Sequence, residues 1–220
     1  MRHFELEIED LRTRLLEMGG LVESAIRDSV VSLLEQDEAR ANGVLANEEL
    51  IDRMEIEIDD HAVRLLALYQ PTACDMRFLA AAIKINNDLE RMGDMAVEIA
   101  RRALSLMHQP AIGLRADIPQ LARLSTDMVH GTLVALVSKD AELARRILLS
   151  DDAVDQLRDA IYGRVIGSME KESVPVPPAL DLLFTARCLE RIADHATNIA
   201  EDVLYCLQGV DVRHHVAVAQ

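Results

Sequence analysis

The amino-acid sequence predicts an all-α protein built from two tandem, pseudo-symmetric antiparallel bundles of three long helices each. Three observations carry this prediction. Aromatic residues make up only 3% of the 220 residues and tryptophan is absent, whereas sheet proteins rely on aromatic and β-branched side chains. Residues that break helices are few and widely spaced. The segments between them also repeat once along the chain, at an offset of about 100 residues.

Three helices of about 25–35 residues are predicted in the first half of the chain. Gln36-Asp37 is a short polar break that suits a tight turn between the first two helices. Gln70-Pro71-Thr72 ends the second helix, because proline cannot continue a helix begun before it. Thr72 and Asp75 have the spacing of a capping box, which predicts that the third helix begins there.

Three further helices of similar length are predicted in the second half. The chain breaks at residues 109–113, at Ser138-Lys139-Asp140 and at the proline-rich residues 174–178. Gly209 follows the last apolar position, where the glycine of a helix C-cap is expected. The predicted domains are a first three-helix repeat over residues 1–110 and a second over residues 111–220.

Two alignments of the chain with itself indicate a tandem duplication. An offset of 103 residues places Leu33 to Asp52 over Leu136 to Asp155, and an offset of 100 residues aligns the third helices. In the third helices a Leu-Glu-Arg-x-x-Asp motif matches itself, with Glu90 and Asp94 over Glu190 and Asp194. Shared helical patterning explains matching leucines, but it does not explain matching acids at fixed offsets.

Charge and cysteine content exclude several classes of function. The net charge of −15 argues against nucleic acid as a partner, because phosphate backbones are bound by clusters of Lys and Arg. It also disfavours direct electrostatic attachment to an anionic membrane. Cys74, Cys188 and Cys206 lack CxxC spacing, which predicts reduced thiols. With no apolar run near 20 residues, a cytoplasmic protein is expected.

The repeated motif places acids along one edge of the buried stripe of each third helix. Residues four apart lie one above the other on a helix, and like charges at that spacing repel each other. A bound cation would reverse this repulsion, and carboxylate oxygens suit hard cations. The alternative to metal binding is that these acids form an ordinary solvated helix face. The acids of the second helices would complete the oxygen-rich sites if second and third helices pack side by side: Glu48, Glu49 and Asp52, and Asp151, Asp152 and Asp155.

The two copies of the edge differ. In the second copy His195, Asn198 and Glu201 extend the polar edge, whereas the first copy has Arg101-Arg102 in place of Glu201-Asp202. The second copy is therefore the stronger metal candidate.

Sequence motifs of catalysis are missing. There is no pair of Glu-x-x-His segments for a di-iron bundle, and no P-loop, Gly-x-Ser-x-Gly or His-Glu-x-x-His pattern. A protein that is not an enzyme is expected. A metal-dependent hydrolase or oxidase that uses the acidic faces stays open as an alternative.

The segments Leu89-Glu90-Arg91-Met92-Gly93-Asp94 and Leu189-Glu190-Arg191-Ile192-Ala193-Asp194 resemble the paired signatures of the PhoU family of phosphate-uptake regulators. The resemblance implies a cytoplasmic negative regulator of phosphate uptake and of the phosphate-starvation response. It implies contacts with the ATPase subunit of a phosphate ABC transporter and with a sensor histidine kinase. It also implies a homodimer that reaches the membrane only through its partners, and binding of iron, zinc, magnesium or manganese. Carried over position by position, the resemblance implies these metal-ligating residues: Glu90, Asp94, Glu190, Asp194, Asn198, Glu201 and Asp202. The nearest alternative is an accessory protein of another phosphate or ion transporter.

Overall fold

The computed structural model describes residues 2–109, 117–210 and 212. Across these residues the chain forms helices and short connections, without a strand, so the predicted all-α fold class is confirmed. Residues 110–113 of the predicted central break lie outside the described residues. The helices are α1 (Arg2–Glu35), α2 (Glu38–Tyr69), α3 (Ala73–Met107), α4 (Ile118–Ser138), α5 (Ala141–Leu148), α6 (Asp151–Glu170) and α7 (Val176–Gln208).

The first turn of each repeat is built in the same way. Gln36 and Lys139 adopt left-handed backbone angles, with φ of 58° and 55°. Asp37 and Asp140 then cap the following helices, because their carboxylates accept hydrogen bonds from backbone amides three residues on, at 3.0 and 2.9 Å. The two turns lie 103 residues apart, so the duplication seen in the sequence extends to the backbone and the caps.

The second repeat differs from the prediction in its middle helix. The sequence predicted one long helix, but the chain breaks between α5 and α6 at Leu149-Ser150. The Ser150 amide bonds the Ile147 carbonyl at 2.9 Å, three residues back rather than four, which tightens the helix and ends it. Since α5 and α6 pack on α4 and α7 as α2 packs on α1 and α3, together they take the place of one helix.

α3 and α7 lie side by side at the centre of the molecule and run in opposite directions. Lys84 near the start of α3 bonds Asp202 near the end of α7 at 2.6 Å. Ser105 near the end of α3 bonds Asp181 near the start of α7 at 2.8 Å. Apolar residues of both helices belong to one continuous core. The two copies of the motif are therefore carried by the two helices that join the repeats.

Among the helices of the described part of the chain, none is long and apolar enough to cross a bilayer.

Candidate functional site

The first acidic cluster lies where α2 and α3 approach each other. Gly93 allows the approach, because a Cβ atom there would lie 3.2 Å from the side chain of Ile51 on α2. Glu90 and Asp94 flank this glycine. Burial raises the pKa of Glu90, followed by repulsion from Asp94, so these carboxylates repel each other in a partly desolvated place.

Acids of α2 add to this repulsion. Burial raises the pKa of Asp94 as well, and the carboxylate of Asp52 raises it further. Glu55 and Asp52 also contribute to the raised pKa of Glu90. The predicted packing of second against third helices therefore brings acids of both helices together in the first repeat.

Arginines partly neutralise the first cluster. The Arg91 guanidinium lies 3.6 Å from the Glu90 carboxylate and 4.0 Å from that of Asp94. Arg101 lies 2.7 Å from Glu98 and 3.5 Å from Glu48 of α2. Arg101 therefore forms a surface ion-pair network next to the cluster, at the position where the second repeat has Glu201.

The second acidic cluster lies between α6 and α7. Burial raises the pKa of Asp194 to about 6, followed by repulsion from Glu190, Asp151 and Asp155, while His195 acts in the opposite direction. More than a third of the Asp194 surface nevertheless stays exposed to solvent, so its carboxyl is only partly desolvated. Burial raises the pKa of Asp151 too, followed by repulsion from Asp155. Asp151 and Asp155 correspond to Glu48 and Asp52 at the 103-residue offset.

A guanidinium lies inside the second cluster. Arg158 of α6 is 3.0 Å from the Asp155 carboxylate and 3.7 Å from that of Glu190. At the 103-residue offset, Arg158 occupies the position of Glu55 in the first repeat. At this aligned position the second cluster therefore contains a cation and the first contains another acid. Comparing only the third helices of the two repeats did not show this difference.

Asn198, Glu201 and Asp202 lie elsewhere. They line a cleft of about 480 Å³ between α3 and α7, together with residues of α2. Asp202 is only 5% exposed and bonds Lys84 at 2.6 Å. Glu201 shares its angular position with Glu190, but eleven residues separate them, which is about 16 Å along a helix. The polar edge predicted as one face is thus divided between two places.

Asp88 is a residue of this region that the sequence did not single out. It is 8% exposed, and its carboxylate lies 2.8 Å from Nδ1 of His195 and 3.5 Å from the Asn198 amide nitrogen. His195 therefore links α7 to α3. An acid in the apolar stripe of α3, one residue before the motif, is the sequence signal that could have indicated such a partner.

The acidic clusters fit a metal ion in the chemistry of their donors. Their carboxylates are oxygen ligands. Burial first, and then repulsion between carboxylates, raise the pKa values of Glu90, Asp94, Asp151 and Asp194. Within residues 2–109, 117–210 and 212, however, no three His, Cys, Asp or Glu side chains converge closely enough to hold a metal. A metal at either cluster would require these side chains to rotate toward it.

The fold and the clusters define the class of protein: an all-α protein of two three-helix repeats whose central helices each carry an acidic cluster. A family model described as the PhoU domain matches the chain twice, at residues 15–103 and at residues 118–203. The chain belongs to the PhoU family, and the resemblance drawn from the two motifs is confirmed.

Two relatives that are named as PhoU proteins align with nearly the whole chain. The phosphate-specific transport system accessory protein PhoU of Serratia marcescens is 39% identical over 214 residues, covering 96% of this chain and 87% of that protein. The protein of that name from Escherichia coli (strain K12) is 37% identical, covering 96% and 88%.

Solved structures of two family members have the same architecture. The crystal structure of PhoU from Pseudomonas aeruginosa is 36% identical, with a TM-score of 0.90, and the match covers 94% of this chain and 100% of that one. The structure of the phosphate transport system regulatory protein PhoU from Streptococcus pneumoniae is 31% identical, with a TM-score of 0.88 and coverage of 95% and 99%.

Proposed function

We propose that this protein is an accessory protein of a phosphate transport system and acts without catalysing a reaction. The observation that carries the proposal is the double family match over residues 15–103 and 118–203. Relatives that align with 96% of the chain are named as accessory proteins of such a system.

We further propose that it acts in the cytoplasm, as a homodimer, as a negative regulator of phosphate uptake and of the phosphate-starvation response. In this role it connects the ATPase subunit of the transporter with a sensor histidine kinase. The unequal acidic clusters support two different contacts, because Arg158 lies in one and Glu55 in the other. One continuous core joins the repeats, so partners bound to the two repeats would be attached to the same packed unit.

Deletion of the gene tests the regulatory role. A reporter of the phosphate-starvation response should be active in high phosphate in the deletion strain and silent again when the wild-type chain is restored. A deletion strain that keeps the reporter silent in high phosphate would contradict negative regulation.

Co-purification tests the two partners separately. The tagged full chain should retain the transporter's ATPase subunit and the sensor kinase after washing at physiological salt. Retention of the ATPase subunit alone would leave a transport accessory protein without the kinase contact. Retention of neither would refute the adaptor role.

We also propose that the acidic clusters bind metal ions of the iron, zinc, magnesium or manganese type. A bound cation would supply positive charge against the mutual repulsion of Glu190, Asp194 and Asp151. Elemental analysis should show less metal in Glu190→Ala/Asp194→Ala than in the wild type. The matched control, Asp127→Ala/Glu142→Ala, removes two exposed acids that pair only within their own helices. Equal metal content in all three proteins would mean that Glu190 and Asp194 belong to a solvated face.

A further inference from the structure

A cavity lies at one end of the bundle, away from both acidic clusters. Its volume is about 810 Å³, within the range of small-molecule sites. Both repeats form its walls. They contribute the start of α1, the connection between α2 and α3, the turn between α4 and α5, and the end of α7.

The Arg12 guanidinium faces this cavity without a proper acceptor. Its side chain is only 15% exposed, and the nearest carboxylate oxygen, on Glu9, is 3.9 Å away. Its Nε atom is buried and donates no hydrogen bond within the described structure. The guanidinium instead lies 5.0 Å from the ring centre of Phe78. A buried N–H donor without an acceptor is costly, so the Nε of Arg12 is suited to receive an anionic oxygen.

Two more cations lie near Cys206 of the cavity wall. Arg77 also has a buried Nε atom without a hydrogen-bond partner among the described residues, and its guanidinium packs on Gly209 at the end of α7. Lys139 forms the left-handed turn on the cavity wall. Burial, then Cys74, raise the pKa of Cys206, whereas Arg12, Arg77 and Lys139 lower it. Arg12 and Lys139 thus contribute two positive charges to the cavity wall, in a chain whose net charge is −15.

The remaining walls are apolar and aromatic. The chain has only three Phe and three Tyr, and Phe4, Tyr69 and Phe78 all line this cavity. The rings of Phe4 and Tyr69 are 5.1 Å apart. Three acids also line the cavity: the Glu9 side chain is 70% exposed, Glu5 is exposed as well, and Asp75 accepts a hydrogen bond from Thr72 at 2.7 Å.

We propose that this cavity binds a small amphiphilic anion, with its acidic head group at Arg12 and Lys139 and its acyl or aromatic body against the rings of Phe4, Tyr69 and Phe78. Such a ligand would touch elements of both repeats at once. The inference goes beyond the proposed role in phosphate transport and does not depend on it, because binding is measured on the purified chain.

Fluorescence of anilinonaphthalene sulfonate, an aromatic anion, tests the proposal on the folded full chain. The dye should bind saturably, and decanoate or decyl phosphate should displace it. Displacement by only one of these assigns the head group as carboxylate or phosphate. Decylamine, which has the same chain and the opposite charge, should displace the dye at least about tenfold less well. Equal displacement by decylamine would overturn the proposal, and so would displacement by inorganic phosphate as effective as that by decanoate.

Charge-removing variants locate the site. Arg12→Gln and Lys139→Gln should each weaken binding of the dye by about tenfold, since each removes a charge-assisted contact. The matched control is Arg53→Gln, an exposed arginine of α2 that is not part of the cavity wall. Circular dichroism verifies that each variant is folded. Lys139, which lies in a surface turn, keeps the test valid if Arg12→Gln fails to fold. Unchanged dye affinity in a folded Lys139→Gln protein would overturn the proposal.

Discussion

Ser105→Ala tests whether the two repeats are held together through α3 and α7. The Ser105 hydroxyl donates a 2.8 Å hydrogen bond to the Asp181 carboxylate across the junction. Asp181 is 6% exposed, and its other partners are the Gln109 amide at 3.1 Å and the Arg102 guanidinium at 3.5 Å. Removing the hydroxyl deletes the shortest of three contacts to a buried charge.

The expected cost follows from the charge of the acceptor. A hydrogen bond to a charged group contributes about 1.5–3 kcal/mol. Because Gln109 still donates to Asp181, the expected loss of unfolding free energy is at the lower end, about 1.5–2 kcal/mol. The matched control is Ser138→Ala: this exposed hydroxyl bonds only a carbonyl of its own helix, at 2.7 Å, and its loss should cost less than about 0.5 kcal/mol.

Urea unfolding followed by circular dichroism measures both values. A double-mutant cycle with Asp181→Asn should give a coupling energy of about 1 kcal/mol between positions 105 and 181. The reasoning would be refuted if Ser105→Ala and Ser138→Ala lost equal free energy, or if the coupling were zero. Either result would mean that this contact does not tie the repeats together.

Two further predictions concern the second acidic cluster and the packing of α1. The pKa of Asp194, measured by carboxyl NMR, should be about 6 and should fall toward its usual value in Glu190→Gln; an ordinary pKa in the wild type would contradict the crowding of this cluster. Since the folded-state pKa is raised, the folded protein binds this proton more tightly, so the stability contributed by Asp194 is present at low pH and is lost as the pH rises through about 6. Separately, Gly19→Val should lower the unfolding free energy by about 1–3 kcal/mol more than Gly20→Val, because a Cβ at Gly19 would lie 2.5 Å from Leu133 of α4 whereas one at Gly20 meets nothing within 4 Å. Equal thermal shifts of the two valine variants would contradict the close packing of α1 on α4.

Most of the fold could be predicted because its signals are local. The turn at Gln36-Asp37 and the C-cap at Gly209 are encoded within a few residues, and both lie where expected, with Gly209 at a φ of 69°. The break at Leu149-Ser150 was missed because it carries no proline or glycine. Thr72 also begins α3 as expected, yet its hydroxyl donates to Asp75 rather than capping a backbone amide.

The candidate site could be predicted only in part. Some acids of the second helices do lie near the motif acids, because second and third helices pack side by side: Asp52 lies near Glu90 and Asp94, and Asp151 and Asp155 lie near Asp194. Arg158 was not anticipated as a cation within the second cluster. It lies on α6 and not on the helix that carries the motif, and it differs from its counterpart in the first repeat, Glu55, by a single replacement of an acid by a base.

By itself the sequence determined the helical class, the duplication and which residues lie on the buried face of each helix. These features depend on composition, spacing and turns within a short stretch of chain. Only the tertiary structure decided which polar groups meet. Helical spacing assigns a residue to a face but leaves its height along the axis and the facing helix undefined. Because α3 and α7 pack in antiparallel directions, Asp202 contacts Lys84 and His195 contacts Asp88. Glu190 and Asp194 lie instead near the acids of α6.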